Sequence, residues 1–245
     1  MTTAAATRGD ALVAFDDVGM VFPNGTRALS GVSFAIAAGT CHALCGENGA
    51  GKSTLMKLLF GLEQPTSGRI LVDGVALAEN SPRLAAARGI GMVHQHFSLV
   101  PSLTVAESVA LGAEPMAGPL IDRRRSRAVV RDLGARYGLV VDPDAVVGRL
   151  SVAGQQKVEI LKALARDVRL LILDEPTAVL TPQETDELFE RLRDLRAAGL
   201  TIVFISHKLR EVRALASHVT VLRLGAVTGD AQTAALDDVA IARIR

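Results

Sequence analysis

Three features of the 245-residue chain predict an α/β fold built around a phosphate-binding loop. The first is the stretch Gly46-Glu47-Asn48-Gly49-Ala50-Gly51-Lys52-Ser53-Thr54, set between an apolar segment ending in Ala43-Leu44 and a helical run, Leu55 to Phe60. The second is a set of short apolar runs, Gly89 to Val93, Leu170 to Leu173 and Leu200 to Ile205, each of a length and composition suited to a strand buried on both faces. The third is that segments with helix caps and helical spacing separate these runs, as a parallel sheet with crossover helices requires.

The loop has the spacing G-x-x-x-x-G-K-[ST], in the strand–loop–helix setting that gives the pattern its meaning. Its glycines let the backbone wrap a polyphosphate with N–H groups pointing inward, and the helix N-terminus adds partial positive charge. Lys52 is placed to reach the β- and γ-phosphates and Ser53 to ligate Mg²⁺. The stretch reads as a nucleoside triphosphate site.

Composition narrows the remaining possibilities. Hydrophobic content of 49% indicates a folded globular chain, and the length leaves ample core. A net charge of +1 gives no global electrostatic case for a nucleic-acid partner. Aromatics at 3%, with no Trp, argue against a base-stacking platform. Met1 to Arg8 lack the apolar core of a signal peptide. No apolar run approaches the ~20 residues needed to cross a bilayer, so any membrane role is expected to act through a partner. Cys41 and Cys45 fall on one face of the strand before the loop, about 13 Å apart and too far for a disulfide. They read as buried, reduced thiols, consistent with a cytosolic setting.

Taken in order, residues 1–10 read as a loose lead-in. Leu12 to Phe22 alternate as strand, and Pro23-Asn24-Gly25 turns the chain into a second strand, Val32 to Ile36. Phe22 is either core or a ring to stack on adenine. Pro65 to Gly68 form a turn, Arg69 to Asp73 a short strand, and Ser81-Pro82 starts a helix through Arg88. Thr104-Val105-Ala106-Glu107 is a capping box. Met116 to Pro119 read as loop, and Asp122 to Tyr137 as an amphipathic helix whose arginines (Arg123, Arg124, Arg125, Arg127, Arg131) form a solvated face. No β-run is expected between Leu99 and Gly148, which makes this a helical insertion. Ser151 caps a helix through Ala165, and Thr181 one to about Ala198, with Glu187 and Arg191 spaced as an i,i+4 pair. Lys208 to Ala216 form a short helix. Val219 to Leu224 and Ala226-Val227 close a hairpin around Gly225, and a weak helix is expected from about Thr233.

Polar residues at the ends of the buried strands carry the chemistry, because ligands of open α/β sheets bind at those ends. Gln95 follows the strand 89–93 and can reach both a metal ion and a water. Asp174 and Glu175 end the strand 170–173, where two carboxylates are costly unless a cation and a reacting water justify them. Asp174 suits the Mg²⁺ shell, and Glu175 suits polarisation of an attacking water. His207 follows the strand 200–205 and is a candidate to hydrogen-bond the γ-phosphate. A metal held by His94 and His96 is the weaker reading of that pair, since such histidines are more often solvated or capping.

Together these residues resemble an ATP-binding cassette (ABC) transporter ATPase, over roughly Leu12 to Val227. The matching stretches are Walker A (Gly46 to Thr54), the Q-loop (Gln95), the signature (Leu150 to Gln156), Walker B (Leu170 to Glu175) and the switch histidine, His207. The resemblance implies a P-loop NTPase (RecA-like) core, 12–95 and 166–230, with an antiparallel β subdomain, a helical subdomain at 96–165, and a tail at 231–245. Asp174 to Pro182 look like the first cassette of tandem importers for monosaccharides and nucleosides; Gly91 to Phe97 favour the nucleoside branch, with monosaccharide second. The implied cofactors are ATP and Mg²⁺, with Ser53, Gln95 and Asp174 around the metal. Catalysis would rest on Glu175, His207, Gln95 and Lys52. The implied partners are a second cassette, a transmembrane permease and, indirectly, an extracytoplasmic binding protein, at the cytoplasmic face of the membrane and without nucleic acid. Cassettes acting on ribosomes or DNA carry coiled-coil arms or basic linkers, which are not found here.

Two positions depart from the family pattern. Ala153 stands where the signature has the glycine that approaches the partner's γ-phosphate, between Ser151 and Gly154. Thr181 stands where the D-loop ends in Asp. Both affect the site completed in trans, and the altered signature leaves a second reading open: a cassette that binds ATP as a clamp with little hydrolysis.

Overall fold

The computed structural model describes residues 11–235 except Ala78 and His96. The lead-in and most of the expected C-terminal helix lie outside the described residues, which end in a 3₁₀ turn, Thr233–Ala235. Two sheets make up most of the frame.

The first sheet is antiparallel, in the order β2-β1-β4-β5, from β1 (Ala11–Val21), β2 (Arg27–Ala37), β4 (Ser67–Val72) and β5 (Val75–Ala76). Alternation in β1 breaks where Asp17 adopts φ 53 and the register with β2 shifts between Phe15 and Val18. This bulge turns Val18 and Met20 inward after Phe15.

The second sheet runs β12-β11-β3-β10-β9-β6, from β3 (Cys41–Cys45), β6 (Ile90–Val93), β9 (Leu170–Asp174), β10 (Thr201–Ile205), β11 (His218–Arg223) and β12 (Ala226–Gln232). All are parallel to their neighbours except β12, which returns antiparallel to β11. Every residue of β3, β6, β9 and β10 is buried, which explains their mostly apolar sequences, with His42, Asp174 and Thr201 as the buried polar exceptions. Alternate residues serve two cores. Leu44, Leu170, Ile172, Val203 and Ile205 face the first sheet and helix α1 (Lys52–Phe60). Cys41, Cys45, Leu171, Leu173, Ile202 and Phe204 face the other helices. Burial pushes both thiols up to about 12, so they are inert apolar filling.

Helix α2 (Pro82–Ala87) precedes β6. Residues 96–165 contain α3 (Val105–Ala110), α4 (Arg123–Tyr137) and α5 (Val152–Leu164), packed through Val105, Val109, Val130 and Leu139. The expectation of no strand here is corrected: β7 (Met116–Ala117) pairs with β8 (Leu120–Ile121). Gly118 at φ 64 opens the two-residue loop, and strands this short show no periodicity to read. The predicted cap oxygens are in place at Thr104, Ser151 and Thr181, the last opening α6 (Pro182–Ala197). The Glu187–Arg191 pairing is also corrected, because Arg191 turns to Asp194 at 2.8 Å and Glu190 at 3.5 Å. Helix α7 (Leu209–Leu215) completes the layer. Among the described residues no helix is long and apolar enough to cross a membrane.

Candidate functional site

Parallel pairing aligns the carboxyl ends of β3, β6, β9 and β10 at one edge, so four loops from distant sequence meet there. The loop 46–51 leaves β3 and enters α1 at Gly51, which has φ 99 and no side-chain cap bond. The first N–H groups of α1 therefore have no side-chain acceptor, as an anion site requires. A Cβ at Gly51 would come within 2.7 Å of Ala28 O and Leu29 Cδ2, so β2 packs directly on the loop. Lys52 folds back, donating from Nζ to Gly46 O at 2.8 Å and Glu47 O at 2.9 Å. Burial holds its ammonium below the ordinary lysine value, with Glu175 and then Asp174 among the charges opposing that shift.

Ser53 Oγ donates to Asp174 Oδ1 at 3.2 Å. Burial raises the Asp174 carboxyl above its usual range, and the neighbouring Glu175 pushes the same way against the Ser53 hydrogen bond. Glu175 adopts φ 48, a left-handed conformation costing a non-glycine residue about 1–3 kcal/mol. That turn aims its carboxylate outward, where Oε2 accepts from Gln95 Nε2 at 3.2 Å and Oε1 lies 3.5 Å from His207 Nδ1. Glu175 is 19% exposed and His207 54%, so the pair faces solvent from the strand tips.

Lys52, Ser53, Gln95 and Glu175 line a groove of about 470 Å³ together with the rest of Asn48 to Thr54, whereas Asp174 and His207 do not line it. Phe22, Thr26 and Arg27 line the same groove. Phe22 lines the groove and also packs partly against the core, as its core reading expects. Thr26 and Arg27 were not found from sequence. The signal was a cation just beyond the Pro23-Asn24-Gly25 turn, close in the chain to Phe22, but a single surface arginine is not distinctive. Ser151, Ala153 and Gly154 belong to no wall of this groove; Ser151 Oγ accepts from Gly154 N at 3.2 Å, and Ala153 borders a separate cleft of about 330 Å³ with Lys157, Leu180 and Glu184. No group of three or more His, Cys, Asp or Glu that could hold a metal occurs among the described residues.

The ABC transporter family model matches residues 29–178, which include the loop, the signature helix and both Asp174 and Glu175. The chain belongs to the ABC transporter family. A ribose import ATP-binding protein of Rubrobacter xylanophilus is 47% identical over 91% of this cassette and 45% of its own length. An arabinose import ATP-binding protein of Burkholderia lata is 47% identical over 88% of the cassette and 42% of its own length. The chain thus spans less than half the length of these curated relatives. Among solved structures, the cassette cbiO1 of Clostridium perfringens, part of an ABC transporter complex, has a TM-score of 0.80 at 30% identity, covering 91% of this chain and 89% of that one. An ATP-binding cassette solved as a dimer, bound to ADP and phosphate, has a TM-score of 0.77 at 25% identity, covering 90% and 98%.

Proposed function

We propose that this cassette binds and hydrolyses ATP as the motor part of an importer, coupling turnover to uptake of a simple sugar. The observation that carries hydrolysis is Glu175, turned out of its strand at φ 48 and held between Gln95 at 3.2 Å and His207 at 3.5 Å beside the phosphate loop. A carboxylate so placed can accept a proton from an attacking water, while His207 stabilises charge on the γ-phosphate. Lys52 and the free N–H groups of α1 bind the phosphates, and Phe22 lies against the adenine.

Ser53 and Asp174 are hard oxygen donors and suit Mg²⁺, which takes few protein ligands and fills its shell with phosphate and water oxygens. The rise in the Asp174 carboxyl's pKa fits the same role, since a cation would compensate that burial. Gln95 completes the set. Held by these residues, Mg²⁺ would supply positive charge to offset that of the phosphates.

Ser151, Ala153 and Gly154 lie off the groove, which supports a reading in which they complete the site of a second cassette and that cassette completes this one. The second cassette lies in the same chain of a longer protein or in a dimer. The other partners are permease subunits at the cytoplasmic face of the membrane and, through them, an extracytoplasmic binding protein. The core comprises 12–95 and 166–230, the helical subdomain 96–165 and the tail 231–245. Sugar takes precedence over nucleoside because the relatives are named for ribose and arabinose import.

A clamp that binds ATP with little hydrolysis is favoured only by the methyl of Ala153 in the signature. The deciding experiment is ATP hydrolysis by the purified chain beside Glu175→Gln, with sizing in ATP and Mg²⁺. Turnover abolished by the variant supports the motor. Tight binding without turnover or pairing supports the clamp.

A further inference from the structure

The ladder between β9 and β10 ends at the pair Asp174–Ile205. Glu175 and His207 lie beyond it, so main-chain pairing between these strands does not hold one against the other. A buried carboxylate spans the gap instead. Glu211, on α7 and only 5% exposed, accepts from Thr177 Oγ1 on Oε1 and from Ser206 Oγ on Oε2, each at 2.6 Å. Thr177 is two residues after Glu175, and Ser206 immediately precedes His207.

Lys208 closes the arrangement. Its Nζ lies 3.1 Å from Glu211 Oε1 and donates to Thr177 O at 3.3 Å, while its N–H donates to Ser206 Oγ at 3.1 Å. Each carboxylate oxygen thus receives a hydroxyl, and the Lys208 ammonium lies beside the buried carboxylate as its countercharge. Both hydroxyls point their only proton at Glu211, so the two strand tips share one anchor.

We infer that Glu211 is a positioning residue that sets His207 against Glu175 by tying Thr177 and Ser206 together. The inference deepens the proposed hydrolysis and rests on that reading for its effect on rate, but the tie through Glu211 is itself a matter of geometry. Removing it frees a strained turn at Glu175 and a half-exposed histidine to separate. The strand tips would still carry every group named in the reaction.

The test compares Glu211→Gln and Thr177→Val with the unaltered chain in crystal structures, ATP turnover and thermal unfolding. The expected result is a His207–Glu175 separation increased by 1 Å or more, with kcat lowered roughly ten- to a hundredfold and KM for ATP within about twofold. The double variant is expected to lose no more than Glu211→Gln alone, because both changes cut the same tie. A variant that folds and keeps the 3.5 Å contact overturns the inference, whether or not kcat falls. A drop in kcat matched by a rise in KM, with the pair still in contact, overturns it as well. Should Glu211→Gln not fold, Thr177→Val removes one donor and is judged by the same separation. If the unaltered chain shows no turnover, the proposed hydrolysis fails, while the crystallographic separation still decides whether Glu211 holds the pair.

Discussion

Lys52 Nζ donates to the carbonyl of Gly46, 2.8 Å away at the opposite end of the same loop. A second bond to Glu47 O leaves the ammonium inside the ring of backbone that a polyphosphate would occupy. The loop is therefore held in a curved form by its own lysine, while burial keeps that ammonium below the ordinary lysine pKa. Charge and shape are both preorganised, and a bound phosphate would compete with the carbonyls for the ammonium's protons.

Lys52→Ala should weaken ATP binding by roughly ten- to a hundredfold, the equivalent of one to two charge-assisted hydrogen bonds. Titration with a fluorescent ATP analogue measures it. Thermal stability without nucleotide should fall too, because the carbonyls of Gly46 and Glu47 lose their donor. Binding within about threefold of the unaltered chain would mean that the N–H groups of α1 hold the phosphates without the lysine.

Ala153→Gly restores the small residue that the signature pattern expects. Ala153 lies in the first turn of α5, half-buried and off the groove of its own chain, so the change cannot act on the phosphates bound there. If a partner's nucleotide approaches this turn, turnover of the paired form should rise, while ATP affinity of the separate chain stays level. Glycine in a helix costs about 1 kcal/mol, so the unfolding midpoint should drop by roughly 2–4 °C. Unchanged turnover in a sample that demonstrably pairs would show that the methyl does not obstruct the contact.

The phosphate loop and strand tips were legible because each rests on local signals. Gly46 to Thr54 have fixed spacing, and Leu170 to Leu173 form an unbroken apolar run of the length that a doubly covered strand requires. Three other features depend on pairs far apart in the chain. Glu211 reads as one more acidic residue on a short helix until folding brings it to Thr177, 34 positions away. Arg27 becomes part of the groove only because β2 packs on the loop at Gly51. The β7–β8 hairpin has two residues per strand, below the length at which alternation exists. Arg191 illustrates a different limit, since i,i+3 and i,i+4 partners compete on one helix face and Asp194 takes the contact.

His42 gives the chain a pH dependence remote from the groove. It is buried on β3, with Nε2 2.8 Å from Thr220 Oγ1. The Thr220 hydroxyl donates to Asp230 Oδ1 at 2.6 Å, so its oxygen accepts from His42, which must be the neutral tautomer protonated on Nε2. His218 Nε2 reaches the same Asp230 oxygen at 2.9 Å, and its ring lies 5.0 Å from that of His42. Burial, reinforced by His218, pushes the His42 pKa down to about 3. Unfolded, the same histidine titrates near 6.5, so between these values the unfolded chain binds a proton that the folded chain excludes. The contribution of His42 to stability is complete above about pH 6.5 and falls on acidification by up to about 1.4 kcal/mol per pH unit. Burial also raises the Asp230 carboxyl, but hydrogen bonds from His218 and Thr220 outweigh it and hold it below the usual range, which extends the loss under pH 4. Urea unfolding of the unaltered chain and of His42→Leu between pH 7 and 4 isolates the effect. The variant should start less stable at pH 7, having lost the bond to Thr220, yet decline more gently. Parallel curves would show that His42 takes up protons equally in the folded and unfolded chains over this range.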